Sequence, residues 1–297
     1  MSLNRPIWKL KKWIDINKLD FDELCTNTRA IDLLKMYPSK INWGLLSYNK
    51  NAIELLEKNQ DKIDWSNLCF NINAIKLLEN NQDKINWFHL SLNKNAIKLL
   101  ENNQDKIDWY NLSINPNAID LLKKNKNKIV WFRLSSNPNA IELLKKNQKK
   151  INWVNLTTNP NAIELLLKNP EKINWNLLGI NKNAIKIIES KPENINMSFL
   201  GINKNAYNII IKNIVNVEPL ILTYNKNPKI FDLLSYHKDR DDYYISMSRN
   251  KLIFELNYEE MKKNNEKIEE ELIKEIMKPS RVFKNPDYDY ITELFDY

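Results

Sequence analysis

Glycine is nearly absent from this chain: only Gly44, Gly179 and Gly201 occur among 297 residues. Three isolated glycines cannot build a phosphate-cradling loop, where several must let the backbone approach the anion. Histidine and cysteine number two each, too few and too scattered to make a metal-ligand cluster. No apolar run is long enough to span a bilayer, and no secretory signal is recognisable. Carboxylates are plentiful, yet no spacing marks a pair for acid/base work. The reading is a non-enzymatic protein without cofactor or metal.

What the chain has in excess is order. Trp43, Trp65, Trp87, Trp109, Trp131, Trp153 and Trp175 stand at one interval of 22 residues, with Phe21 one interval before and Met197 one after. Such a ladder marks stacked structural repeats. The repeat reads approximately Lys-Ile-(Asp/Asn)-Trp-x-x-Leu-Ser-x-Asn-x-Asn-Ala-Ile-x-Leu-Leu-x-x-Asn. Alanine recurs from Ala30 to Ala206, and an Asn three residues before it from Asn27 to Asn225. That Asn, followed by Pro116, Pro138 and Pro160 in three repeats, reads as a helix cap with proline at the first helical position. The next segment, such as Ala52-Ile53-Glu54-Leu55-Leu56, has one apolar face. A second Asn column (Asn59, Asn81, Asn103, Asn125, Asn147, Asn169) reads as a left-handed helix end, the role glycine usually takes. The stretch around Trp, such as Ile63-Asp64-Trp65-Ser66-Asn67-Leu68, reads as a very short helix capped by its Asp or Asn. A strand there would give a leucine-rich horseshoe, but the consensus spacing of that fold is missing.

The expected fold is therefore all-α: an elongated α-solenoid of about nine to ten repeats, each one longer plus one short helix. Residues 1–18 form an N-terminal cap, 19–238 the repeats, and 239–297 a degenerate repeat with a C-terminal helical cap and tail. At ~8–10 Å per layer the array would extend on the order of 80–100 Å. The basic, amphipathic Trp8-Lys9-Leu10-Lys11-Lys12-Trp13-Ile14 reads as a capping helix over the first open core rather than a membrane-surface segment. Residues 252–278 read as helix ended by Pro279, with Ile268, Leu272, Ile273 and Ile276 as one apolar stripe. Residues 285–297 form an aromatic, acidic tail.

Column by column, the ladder tryptophans read as core, because apolar residues flank them at helical spacing. Cys25 and Cys69 share a column with Ser47, Ser91, Ser113, Ser135, Thr157, Gly179 and Gly201, which selects small size. They read as packed thiols in a reducing compartment; two repeats apart, about 20 Å, they cannot pair. His89 sits in a variable column and reads as a surface residue. The column after Trp changes type, from Gly44 and Ser66 to Phe88, Tyr110, Phe132 and Val154. Phe88, Tyr110 and Phe132 with Arg133 are candidate anchors for a protein partner, or they fold back and cover the core. Charge is segregated, since residues 111–215 carry 16 Lys/Arg against 6 Asp/Glu. Lys123, Lys124, Lys145, Lys146 and Lys150 are candidate anion or nucleic-acid contacts. Lys40, Lys62, Lys84, Lys106, Lys128, Lys150 and Lys172 form a further ladder whose stems can cover apolar surface.

The opening Trp-Lys-Leu-Lys-Lys-Trp-Ile-Asp-Ile-Asn-Lys-Leu, the tandem Asn-Pro-Asn-Ala-Ile repeats and the closing Glu-Leu-Ile-Lys-Glu-Ile-Met-Lys-Pro-Ser-Arg-Val resemble uncharacterised repeat proteins of giant, mimivirus-like DNA viruses. The resemblance implies a viral protein of the host cytoplasm or the virion and carries over no catalytic residue. The functional expectation is a scaffold for protein–protein interaction, with nucleic-acid binding along 111–215 or a structural virion role as alternatives.

Overall fold

The computed structural model describes residues 6–237 and 239–276. The chain divides into two compact parts, Leu10–Phe254 and a smaller one of Met1–Lys9 with Glu255–Tyr297. The larger part holds the repeats and is all-helical apart from the strand ends at its limits.

Each repeat is built from three pieces. A Trp helix of four to six residues, such as Trp65–Leu68, starts where Asp64 accepts the Asn67 amide at 2.9 Å. An Ile helix, such as Ile75–Glu79, follows, and a 3₁₀ turn such as Gln82–Lys84 returns the chain to the next repeat. The second Asn column ends the Ile helix differently from expectation. No non-glycine residue described has positive φ. Instead Asn59, Asn81, Asn103, Asn125, Asn147 and Asn169 turn their amides back onto the carbonyl four residues earlier, at 2.9–3.0 Å. A side chain thus satisfies an orphan carbonyl that a left-handed residue would otherwise serve.

The first Asn column is likewise more than a cap. Asn49 accepts the Asn51 amide at 3.1 Å, which shapes the turn, but the helix proper begins at Ile53, after Ala52. Its NH₂ group reaches into the preceding repeat and donates to the carbonyls of Cys25 (2.9 Å) and Asn27 (3.0 Å). The same pair of bonds recurs at Asn71, Asn93, Asn115, Asn137, Asn159, Asn181, Asn203 and Asn225. Asn250 extends it, donating to Thr223 and Asn225. All of these asparagines are buried, so each bond satisfies polar groups that water cannot reach.

The ladder has no end. Asn27, the first of the series, donates to Ser248 at 3.0 Å and to Asn250 at 3.2 Å. Eleven repeats therefore close on themselves, numbered 1 to 11 from Asn27 to Asn250. Other ladders close at the same seam. The small-residue hydroxyls accept the amide seventeen residues on, as Ser47 does from Asp64 (3.1 Å), and Ser248 accepts from Asp20 at 2.9 Å. Phe21–Thr26 packs on Asp241–Ser248 as Trp helices do elsewhere in the series. The repeat fold is as expected; the elongation and the 80–100 Å estimate are not. Closure of eleven repeats needs roughly 33° of rotation at each interface. The direct helix packing between repeats runs through the Trp helices, which places them on the inner circumference, where spacing is shortest. Gly179 shows how close they come: a Cβ there would lie 2.8 Å from the backbone nitrogen of Leu200.

Repeat 11 is assembled from both chain ends. The C-terminal side supplies Asp241–Ser248 and Asn250, with Tyr244 in the Trp column. Its 3₁₀ turn, Ile16–Lys18, comes from the N-terminal side. The segment expected to be a capping helix is instead a strand, Trp8–Leu10, paired with Phe254–Leu256, then this turn. A closed ring has no open core for a helix to cover. Residues 239–254 supply part of this last repeat, which is degenerate in its spacing. Within the smaller part, the Asn257 amide donates to Ile7 (2.9 Å) and one helix runs Tyr258–Ile276, starting six residues later than expected. Ile268 is half-buried and Ile273 exposed; the side chains of Leu272 and Ile276, Pro279 and the tail lie outside the described residues.

Candidate functional site

The Trp helix has only one inward face. Leu68 and its equivalents are fully buried and Ile63 nearly so, while the ladder tryptophans are half-buried rather than core. The uncovered ring face carries a cation. The lysine nineteen residues later sits over it: Lys62 over Trp43 at 4.8 Å, then Lys84, Lys106, Lys128, Lys150 and Lys172 over Trp65, Trp87, Trp109, Trp131 and Trp153 at 4.3–4.8 Å. Lys40 caps Phe21, and Lys18 reaches Tyr244 at the seam. The lysine ladder is thus a row of cation–π contacts between repeats, each about 0.5–1 kcal/mol at an exposed site.

The residue after Trp is the second of its helix and lies on the solvent side. Phe88 is 52 % exposed, Tyr110 44 % and Phe132 42 %, so these aromatics do not fold back onto the core. The neighbouring repeat fixes their backbone: Asn111 donates to the Phe88 carbonyl at 3.0 Å and Asn155 to that of Phe132 at 2.8 Å. Tyr110 and Phe132 meet edge to face at 5.6 Å, and the Arg133 guanidinium lies 4.6 Å over Tyr110. Arg133 Nε is buried without an acceptor among the described residues. The structure therefore brings Tyr110, Phe132 and Arg133 into one cluster, with Phe88 one repeat earlier in the same column.

Sequence reasoning missed the extension of this surface. His89 is half-buried, not a plain surface residue. Its ring lies 4.4 Å from Phe70 and 5.6 Å from Phe88, and Nδ1 sits 2.9 Å from the Ser66 hydroxyl. Phe70 stacks on Tyr48 at 5.2 Å. The aromatic run thus extends back through repeats 2 and 3. The signal was present, because the column just before the ladder Asn also varies, from Thr26 and Tyr48 to Leu92 and Ile114.

Among the candidate basic residues, Lys123 is 3.0 Å from Asp120, and Lys145 lies 3.2 Å from Glu142 and 3.0 Å from Glu164. Lys124 is 3.9 Å from Glu101, and Lys150 caps Trp131. Hydrogen bonds from Lys168 first and Lys145 second, more than long-range charge, hold Glu164 down to a pKa of about 2. Lys146 is exposed, with no ion pair among the described residues. Cys25 and Cys69 are buried free thiols, both pushed up to about 11 by desolvation. No described helix is long and apolar enough to cross a membrane. Comparison with family models, curated proteins and solved structures gives no match for this chain.

Proposed function

We propose that this chain is a non-enzymatic repeat scaffold that binds a protein partner through the aromatic run on its Trp helices. The observation that supports it is the exposure of Phe88, Tyr110 and Phe132 on consecutive repeats, with Arg133 stacked on Tyr110. Aromatic side chains and arginine are the usual anchors of protein interfaces, since they bury large area at low entropic cost. A run of exposed rings held on rigid backbone has no folding purpose of its own. Nucleic-acid binding along 111–215 has weaker support, because most lysines singled out there already face a carboxylate or an indole. On the resemblance to giant-virus repeat proteins, the partner we propose is one of infected-cell cytoplasm or of the particle.

The test is affinity capture from infected cells with mass spectrometry, using wild type and F88A/Y110A/F132A, with and without nuclease. The triple variant retains its helical circular dichroism and loses the stoichiometric partner, with nuclease making no difference. Unchanged capture by the variant would sink the assignment, and a partner lost only on nuclease treatment would favour nucleic acid.

A further inference from the structure

Closing the ring brings together cations far apart in sequence. The position after each ladder Asn is lysine in repeats 2, 4, 8, 9, 10 and 11: Lys50, Lys94, Lys182, Lys204, Lys226 and Lys251. The backbone of this column is pinned from the next repeat. Asn73 donates to the Lys50 carbonyl at 2.8 Å, and at the seam Arg29 donates to Lys251 at 3.0 Å. Their ammonium groups are exposed. In repeats 5 to 7 the column is proline instead, so the charge concentrates on the arc around the seam.

A cavity of about 780 Å³ spans that arc. Four consecutive repeats, 10, 11, 1 and 2, contribute to its wall, through Arg29, Tyr48, Tyr224, Lys226, Arg249 and Lys251 among others. Among the described residues no carboxylate lines it. Arg249 shares the Glu23 carboxylate, but Lys226 and Lys251 have no ion-pair partner among the described residues. Lys251 is held below its usual pKa, first by desolvation and then by Lys50, Lys226 and Arg29; every charge acting on it is positive. Convergent, partly desolvated cations raise the energy of the unliganded state, and an anion relieves that repulsion. The volume lies within the ~300–1,000 Å³ of ordinary small-molecule sites. Tyr48 and Tyr224, both partly exposed on the wall, offer ring faces beside the charge.

We propose that this seam cavity binds a small molecule bearing two or more phosphate groups. Several convergent cations suit a polyphosphate better than a single carboxylate, because each phosphate takes its own charge-assisted bonds. The site exists only in the closed ring; it shares Tyr48 with the near end of the aromatic run, while Phe88, Tyr110 and Phe132, assigned above to a protein partner, are not part of its lining.

Calorimetric titration of the full chain with tripolyphosphate, ATP and inositol hexakisphosphate, at low and high salt, tests this. One equivalent binds, the affinity falls with salt, and K226A/K251A weakens it by about tenfold to a hundredfold. K58A/K168A, on Ile helices away from the cavity, leaves it unchanged. Removing two repelling charges does not lower the melting temperature of the unliganded protein, so lost affinity is not lost fold. ATP binding tighter than tripolyphosphate identifies a nucleotide, with a tyrosine stacking on the base. ATP binding no tighter identifies a phosphate ester without one. Failure of all three probes at low salt, equal affinity in K226A/K251A, or an equal loss in K58A/K168A overturns the proposal.

Discussion

Replacing Asn137 with alanine tests the main structural device of the protein. Its side chain is fully buried and makes three bonds: to the Ser113 carbonyl at 3.1 Å, to the Asn115 carbonyl at 2.8 Å, and from the Asn139 amide at 3.0 Å. Each neutral bond contributes about 1 kcal/mol net, and groups left buried without partners cost about 1–3 kcal/mol more. The expected loss is about 4–6 kcal/mol, a large share of the ~5–15 kcal/mol by which proteins are stable. Asn139 makes one exposed bond, to the Pro116 carbonyl at 2.9 Å, so Asn139→Ala costs about 1 kcal/mol. Asn27 carries the decisive comparison. Across the seam it makes the same pair of donations to Ser248 and Asn250 and accepts the Arg29 amide at 3.1 Å. In a closed ring Asn27→Ala costs as much as Asn137→Ala. In an open array the Asn27 amide would face water, and its loss would cost little more than Asn139→Ala. Urea denaturation at a common m value measures all three. A loss under ~1 kcal/mol for Asn137→Ala would refute the ladder as the main interface bond. A small loss for Asn27→Ala beside a large one for Asn137→Ala would refute closure.

Two further outcomes follow from burial and spacing. Gly179→Ala destabilises by about 1–3 kcal/mol, because its Cβ would meet the Leu200 backbone at 2.8 Å and the two Trp helices must separate. Gly44→Ala, whose nearest neighbour lies at 3.4 Å, is neutral or stabilising by up to about 1 kcal/mol through helix propensity; thermal melts distinguish them, and equal effects would deny the close approach at Gly179. Cys25 and Cys69 resist a thiol reagent in the native state and react in urea. Their folded pKa of about 11 lies above the ordinary ~8.5, so the protonated thiols favour the folded state fully below that value. Stability from these groups is lost as pH rises from there towards the folded value. Rapid labelling of the native protein at pH 8 would contradict the burial.

Much of the fold was legible because it is local and repeated. The Trp interval located the repeats, and the Asp or Asn before Trp caps its helix as the residue types predict, with Asp64 on Asn67 as one case. The buried columns of Ala, Leu and Ile were readable from their period. Residue chemistry misled where one side chain had two choices. Asn59 has the composition of a left-handed helix end but bonds the Leu55 carbonyl; Asn49 resembles a cap but spends its donors on the previous repeat. The residue types leave the exposure of Phe88, Tyr110 and Phe132 open, because one column alone does not show which side of its helix the neighbour covers. Tyr48, Phe70 and His89 joined the same surface only once adjacent repeats were stacked.

The repeat is written in the residues themselves: its length, its two helices, its buried columns and the position that varies beside each tryptophan. These depend on contacts within one repeat or with the next, at separations the period makes visible. Long-range packing adds that eleven such repeats close, that segments from both sides of the chain build the last one, and that Arg29, Lys226 and Lys251 line one cavity. Closure depends on a small rotation at each interface, set by how much nearer the Trp helices pack than the Ile helices outside them. No single repeat encodes that sum; it appears only where Asn27 meets Ser248 and Asn250.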